Sequence, residues 1–171
     1  MRRCSLEEEE FKVLKTLSEA TTRMDLNMFS KKVNLSPVET IEQFQRLARQ
    51  GFLQKVGNGY GITERGKTAL KALAPVAEGM DFQFYYGFDK PTELIVNTLQ
   101  AFYIAIKQIK VESLEFHLYR GDFEKWLKEA IKDPQLAYGF GSVRTFVLKG
   151  EVLRAELLKA LDENYSIQEL L

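Results

Sequence analysis

The chain has 171 residues, of which 45% are hydrophobic and 12% aromatic, and its 24 basic residues balance its 24 acidic ones. This composition can bury a hydrophobic core in one domain or in two small ones, which excludes a disordered or fibrous protein. A single cysteine, Cys4, excludes an internal disulfide, and a single histidine, His117, excludes an ordinary zinc site. The chain has no apolar run of the ~18 to 20 residues that a membrane helix needs. We therefore expect a cytoplasmic protein without metal or cofactor.

The charge is unevenly distributed along the chain. Residues 1–74 carry 13 Lys and Arg against 9 Asp and Glu, a net charge of +4, whereas residues 75–171 carry 11 against 15, a net charge of −4. The basic half is therefore the part expected to bind a polyanion, although an ordinary solvated surface gives the same imbalance.

The first half of the chain predicts helices and one hairpin. Ser5 and Glu8 form a capping box at the first helix, and Ser36 and Glu39 form another, followed by a proline at the first helical position. Two short strand-like runs joined by an Asn58-Gly59 turn indicate the hairpin. The predicted helices span 5–20, 25–33, 36–50 and 63–73, and the predicted strands span 52–56 and 60–63. Small and acidic residues at 74–79 mark a domain boundary.

The segment after the hairpin carries a recognisable pattern, Tyr60-Gly61-Ile62-Thr63-Glu64-Arg65-Gly66-Lys67-Thr68-Ala69-Leu70. In order and spacing, the three helices, the hairpin and this segment resemble winged helix-turn-helix transcription regulators, whose pattern is matched by Ile62, Thr63, Gly66 and Leu70. The resemblance covers a little under half of the chain. It implies a DNA-binding domain over residues 1–74, with the helix Ser36 to Gln50 in the major groove.

Two groups of side chains are predicted to contact double-stranded DNA. On a helical wheel, Ile41, Phe44, Leu47 and Ala48 form the buried face. The outward face then carries polar side chains that can recognise base edges, namely Glu39, Glu42, Gln43 and Arg46. With the surrounding phosphate contacts, the predicted DNA-binding residues are Lys31, Lys32, Ser36, Glu39, Gln43, Arg46, Arg49, Lys55 and Asn58. Because this helix is nearly neutral, a protein-interaction adaptor is the alternative function.

The second half predicts a mainly helical domain over residues 80–171, for dimerisation or effector sensing. Alternating aromatic residues at 82–88 indicate an extended segment that is either core or the lining of a ligand pocket. Pro91 is predicted to open a long helix that ends near Ile109. Its apolar residues follow coiled-coil spacing at Ile95, Leu99, Phe102, Ile106 and Ile109. This spacing favours a homodimer, and packing within the domain is the alternative.

The most distinctive stretch is Phe116-His117-Leu118-Tyr119-Arg120-Gly121-Asp122-Phe123-Glu124-Lys125-Trp126. It resembles an uncharacterised prokaryotic domain family with a Phe-His-Leu-x-Arg-Gly-Asp-Phe-x-x-Trp stretch, and the resemblance extends loosely over residues 82–165. That family implies no activity for this chain.

His117, Arg120 and Asp122 are predicted to lie together at a break between two helices, where Gly121 ends one helix and Asp122 caps the next. They form either a site for a small-molecule or protein effector, or an Arg120–Asp122 ion pair that fixes a helical corner with His117 hydrogen-bonded beside it. One histidine beside an acid makes no recognisable catalytic triad, so no catalytic residue and no enzymatic activity are predicted.

The remaining residues predict two further helices. Asp133-Pro134 begins one of them, Gly139-Phe140-Gly141-Ser142 is predicted as a loop, and residues 151–164 form a final amphipathic helix. We therefore expect a mostly α-helical protein with a small β hairpin, in which a winged helix domain precedes a mainly helical one. The expected function is a DNA-binding transcription regulator controlled by its C-terminal domain.

Overall fold

The computed structural model of the chain describes residues 6–20 and 23–171. These residues are mostly helical, and they include two antiparallel, two-stranded hairpins. Contacts along the chain divide it into unit 1, which comprises the residues up to Lys71 together with Glu169–Leu171, and unit 2, which comprises Ala72–Gln168. Every helix in the described ranges is too short or too polar to cross a lipid bilayer.

Unit 1 follows the element order predicted for the first half of the chain. The elements are α1 (Glu8–Glu19), α2 (Leu26–Val33), α3 (Pro37–Arg49), β1 (Leu53–Val56), β2 (Gly59–Ile62) and α4 (Glu64–Leu73). The predicted capping box of α3 is confirmed, because the Ser36 hydroxyl accepts the Glu39 N–H and the Glu39 carboxylate accepts the Ser36 N–H. The expected capping box at Ser5 lies in part outside the described residues, and α1 begins after Glu7.

The β1–β2 hairpin closes with a tight turn at one end and is connected to α4 through Thr63 at the other. Val56 pairs with Gly59, so the tight turn is centred on Gly57 and Asn58 and not, as predicted, on Asn58 and Gly59. Gly57 has φ +59°, a left-handed conformation that glycine adopts without steric cost. At the other end, Thr63 connects β2 to α4, and its hydroxyl bonds the Gly51 carbonyl oxygen at 2.6 Å.

Unit 2 consists of a hairpin and five helices within its described residues. The elements are β3 (Phe82–Gly87), β4 (Lys90–Val96), α5 (Leu99–Gln108), α6 (Val111–Arg120), α7 (Asp122–Glu129), α8 (Pro134–Thr145) and α9 (Gly150–Tyr165), followed by a short 3-10 turn (Ile167–Leu170). Its core is an aromatic cluster with ring centroids about 5 to 6 Å apart, formed by Phe82, Phe84, Phe102, Phe123, Trp126 and Phe140. The aromatic stripe of β3 therefore contributes to the core through Phe82 and Phe84.

The long helix predicted from Pro91 to Ile109 is wrong, because its first part is strand β4. Thr98 ends the strand and caps α5, where its hydroxyl accepts the Ala101 N–H at 3.0 Å. Ile95 is on the strand and 56% exposed, whereas the other four apolar residues of the predicted seam are buried inside unit 2. These residues are Leu99, Phe102, Ile106 and Ile109. The seam therefore gives no support to the expected homodimer, and packing within the domain is confirmed for these four.

The predicted loop at Gly139-Phe140-Gly141-Ser142 is also wrong, because these residues are inside α8. Phe140 is fully buried, so the helix is stabilised by packing despite its two glycines. Gly141 allows α8 to approach α7, since a Cβ at this position would lie 3.0 Å from Oε2 of Glu124. The predicted start of α8 is confirmed, because the Asp133 carboxylate accepts the Leu136 N–H there. The predicted final amphipathic helix is also confirmed, since α9 buries the leucines at 153, 157 and 161.

Gly66 is the glycine at which an added methyl group should be most disruptive. A Cβ there would lie 2.3 Å from the Phe52 carbonyl oxygen and 2.7 Å from Cγ1 of Ile62, so the start of α4 would move away from the hairpin. We expect Gly66→Ala to lower the free energy of unfolding by about 2 to 3 kcal/mol. The measurement is urea denaturation followed by circular dichroism.

Gly139→Ala is the matched helical control. Nothing lies within 4 Å of a Cβ at Gly139, so this variant should be more stable by about 0.5 to 1 kcal/mol. Equal stabilities of the two variants would contradict the close approach of α4 to the hairpin.

Candidate nucleic-acid interface and the His117 corner

One carboxylate of α1 is buried in unit 1. The Glu10 side chain is 1% exposed, and its Oε1 lies 3.3 Å from Nε of Arg46 on α3. Its Oε2 accepts the backbone N–H of Glu7 at 3.0 Å, and the Gln50 amide lies 3.5 Å from Oε1. A buried carboxylate is stable only when it is paired and hydrogen-bonded. These contacts therefore fix how α3 is rotated against α1.

This rotation removes predicted base readers from the outward face of α3. Arg46 pairs with Glu10 and with Glu7, and the Gln43 amide donates to Oε2 of Glu9 at 3.4 Å. Both side chains are directed at α1, so the prediction that they point away from unit 1 is wrong. Ser36 and Glu39 are two more of the predicted DNA-binding residues. They bond each other in the capping box, where the Glu39 carboxylate accepts the Ser36 N–H.

The buried face of α3 is centred on Thr40 and Leu47, both fully buried, and Ile41 is partly exposed. The Thr40 hydroxyl lies 2.8 Å from Oγ of Ser30 and 2.9 Å from the Ser36 carbonyl oxygen. Because its polar group is satisfied locally, threonine can take a core position that a hydropathy wheel assigns to isoleucine. The buried face of α3 predicted from the sequence is therefore rotated about the helix axis relative to the observed one.

The outward face of α3 consists of exposed side chains spaced four, three and four residues apart, which places them on one side of the helix. They are Val38, Glu42, Gln45 and Arg49. Val38 and Gln45 are not recognisable from the local sequence pattern, because their position depends on the Glu10–Arg46 pair. Gln45 and Arg49 make no hydrogen bond or ion pair with any other described residue.

The side chains predicted to contact phosphates are all exposed. Lys31 and Lys32 are in the last turn of α2, Lys55 is in β1, and Asn58 is in the hairpin turn. None of the three lysines forms an ion pair within the part of the chain that the structure describes. Unit 1 therefore presents cations on the elements on either side of α3.

His117 is buried in unit 2, and both of its ring nitrogens are hydrogen-bonded. Nε2 accepts the Tyr85 N–H at 2.8 Å, so Nδ1 carries the proton and donates it to Oδ2 of Asp122, also at 2.8 Å. Burial lowers the pKa of His117, an effect that the hydrogen bond to Asp122 partly offsets. A neutral imidazole with both nitrogens occupied positions its neighbours and has no free nitrogen for proton transfer.

Strand β3 is irregular at Tyr85, and α6 compensates for the irregularity. The β3–β4 register shifts on both sides of Tyr85, whose partner Pro91 has no N–H to donate. Instead, the Ser113 hydroxyl donates to the Tyr85 carbonyl oxygen at 2.7 Å, and His117 accepts the Tyr85 N–H. Ser113 and His117 are one turn apart on α6, so this helix satisfies both backbone groups of the strand.

Arg120 and Asp122 complete the corner at the junction of α6 and α7. Nε of Arg120 lies 3.2 Å from Oδ2 of Asp122, and the guanidinium carbon lies 4.7 Å from the ring centroids of both Phe88 and Phe116. The prediction that Asp122 caps α7 is wrong. Gly121, with φ +77°, occupies the cap position, and the Asp122 carboxylate bonds His117 and Arg120.

Comparison with known proteins found no matching family model, no matching curated protein and no matching solved structure. Within residues 6–20 and 23–171, no three His, Cys, Asp or Glu side chains are grouped in a way that could hold a metal ion.

Two arginines of α3 should differ in their effect on stability. Arg46→Ala leaves the buried Glu10 carboxylate without its cation, so we expect the free energy of unfolding to fall by about 1 to 3 kcal/mol. Arg49→Ala, an exposed position on the same helix, should change it by less than about 0.5 kcal/mol. Urea denaturation measures both, and equal effects would contradict the structural role of Arg46.

The lowered pKa of His117 predicts a pH dependence of stability. In the folded state His117 stays neutral to a lower pH than in the unfolded state, so the unfolded chain binds more protons below pH ~6.5. Stability should therefore fall as the pH drops from about 7 to 5, by at most about 1.4 kcal/mol per pH unit. Since the sequence has one histidine, His117→Gln should remove this dependence. Urea denaturation at a series of pH values is the measurement, and an unchanged profile in the variant would refute the assignment.

Proposed function

We propose that unit 1 is a winged helix-turn-helix domain that binds double-stranded DNA with α3 in the major groove, and that the chain is a transcription regulator controlled by unit 2. The observation that carries this proposal is the outward face of α3, where Gln45 and Arg49 lie one turn apart, exposed and without a partner among the described residues. A helix that enters the major groove needs side chains of this kind on its exposed face.

The chemistry of that face matches the edges of base pairs. Arg49 can donate two hydrogen bonds to guanine, and Gln45 can donate one to and accept one from adenine. Val38, which is 67% exposed, can contact the methyl group of thymine, and Glu42 can accept from the cytosine amine. Val38, Gln45 and Arg49 thus take the place of Glu39, Gln43 and Arg46 among the predicted base readers, and Glu42 is kept. Arg49 moves from the phosphate group to the base-reading group.

The attraction to phosphate comes mainly from outside α3. Two glutamates on the helix oppose its two arginines, and Arg46 is already paired with Glu10 and Glu7. Lys31, Lys32 and Lys55 are exposed and carry charges that no described carboxylate neutralises. Together with the net charge of +4 on residues 1–74, they supply the electrostatic part of the binding.

A protein-interaction adaptor is the second candidate, because unit 1 also exposes apolar surface. An open groove of about 1070 Å³ lies between its helices and the β1–β2 hairpin. Its apolar lining includes Leu17, Leu26, Phe29, Ile41, Phe44, Val56, Tyr60 and Ile62. Exposed apolar grooves are typical of protein partners. We favour DNA because the unpaired cations and Gln45 would have no role in an apolar contact.

Single substitutions should separate base contacts from phosphate contacts in one titration series. Arg49→Ala should weaken binding to the preferred site by about 1 to 3 kcal/mol and relax the preference at one base pair. Lys55→Ala should weaken binding to all sequences alike and lower the slope of log K against log salt by about one. The preferred site is first selected from random DNA, and fluorescence anisotropy then measures affinity at several salt concentrations.

Lys128→Ala, an exposed lysine of α7 in unit 2, is the control and should bind DNA like the parent chain. Binding that is weak and identical for the parent and all three variants would reject the DNA proposal and favour the adaptor.

A further inference from the structure

The His117 corner borders a cavity of about 340 Å³ in unit 2, a volume within the range of small-molecule sites. The cavity lies between the β3–β4 hairpin, α6 and the first residue of α7. Part of its wall is aromatic, formed by Phe82, Tyr85, Phe88 and Phe116. The rest is polar, formed by Gln83, Asp89, His117, Arg120 and Asp122. A ligand that fits this wall has an apolar body and polar ends.

Arg120 offers the cavity a set of unused donors. Its Nε bonds Asp122, whereas its two terminal nitrogens have no acceptor among the described residues. The guanidinium carbon lies 4.7 Å from the ring centroids of both Phe88 and Phe116, so the outer edge of the group sits beside the aromatic wall. That edge has the geometry that binds a carboxylate through two parallel hydrogen bonds.

Asp89 offers an unused charge of the opposite sign. It lies in the turn between β3 and β4 with φ +56°, and its carboxylate forms no ion pair or hydrogen bond within the described chain. His117 and Asp122, which also line the wall, are already engaged, since Asp122 accepts from both His117 and Arg120. Arg120 keeps two unused donors beside its ion pair with Asp122, Asp89 keeps an unpaired charge, and part of the wall is aromatic. The cavity therefore suits a zwitterion better than a simple anion, which Asp89 would repel.

We infer that this cavity binds a free α-amino acid with an apolar side chain, whose carboxylate contacts Arg120 and whose ammonium group contacts Asp89. The apolar side chain lies against the aromatic wall, where Phe88, 76% exposed, would lose contact with water on binding. This proposal concerns unit 2 alone and does not depend on DNA binding by unit 1.

The test uses the intact chain with L-phenylalanine and L-leucine as an aromatic and an aliphatic probe, measured by saturation-transfer NMR. Two truncated ligands accompany them: 3-phenylpropionate, which lacks the ammonium group, and phenethylamine, which lacks the carboxylate. We expect at least one amino acid to bind. L-phenylalanine should bind at least about tenfold more tightly than either truncated ligand, and tenfold corresponds to about 1.4 kcal/mol.

Two variants assign the two ends of the ligand. Arg120→Gln should weaken binding of L-phenylalanine at least about tenfold without weakening phenethylamine, while Asp89→Asn should weaken L-phenylalanine and strengthen binding of 3-phenylpropionate, whose carboxylate Asp89 repels. Asn tolerates the left-handed conformation at position 89, so this variant keeps the turn. Arg144→Gln is the matched control, because Arg144 pairs with Glu124 and does not line the cavity.

Three results would overturn the proposal. The first is that neither amino acid binds the parent chain, and the second is that the truncated ligands bind as tightly as L-phenylalanine. The third is that Arg120→Gln and Asp89→Asn bind L-phenylalanine like the Arg144→Gln control. Thermal denaturation of each variant confirms that it is folded before binding is compared.

Discussion

The buried Glu10 carboxylate is the constraint on which the outward surface of α3 in unit 1 depends. A carboxylate away from water requires a cation and hydrogen-bond donors, and α3 supplies them through Arg46 and Gln50. Meeting that requirement fixes the rotation of α3 about its own axis. The side chains on the opposite face, Gln45 and Arg49 among them, are consequently the ones that any partner of this helix meets. The buried Glu10–Arg46 ion pair thus determines which side chains α3 exposes.

Unit 2 follows the same principle at strand β3. At Tyr85 in the irregular strand, α6 bonds both the backbone N–H and the carbonyl oxygen, through His117 and Ser113. The imidazole must stay neutral to accept from Tyr85 while it donates to Asp122. Asp122 in turn bonds Nε of Arg120, and the two terminal guanidinium nitrogens keep no acceptor among the described residues. The groups that stabilise the corner therefore also shape the proposed amino-acid site.

The candidate functions of the two units rest on the polar groups that the fold does not use. In unit 1, Arg46 and Gln43 stabilise α3, and Arg49 and Gln45 stay free although they are the same residue types on the same helix. In unit 2, Asp122 is engaged, and Asp89 stays free. Residue type alone does not distinguish the members of these pairs. Their tertiary environment does, because a hydrogen-bonding group that is engaged within the fold is not available to a partner.

The sequence by itself determined the helices, the first hairpin and their order in residues 6–73, because capping boxes, the glycine-rich turn and hydrophobic periodicity are local signals. It also placed His117, Arg120 and Asp122 at one corner, since they lie within six consecutive residues. Only the tertiary structure decided the second hairpin. There Thr98 caps α5 and separates it from strand β4, although the apolar residues on both sides of Thr98 follow one helical spacing. The tertiary structure alone decided the outward face of α3, because the burial of Glu10 and Thr40 depends on partners far away in the sequence. The cavity beside Arg120 was likewise beyond local inference, since its walls come from β3, the hairpin turn, α6 and α7.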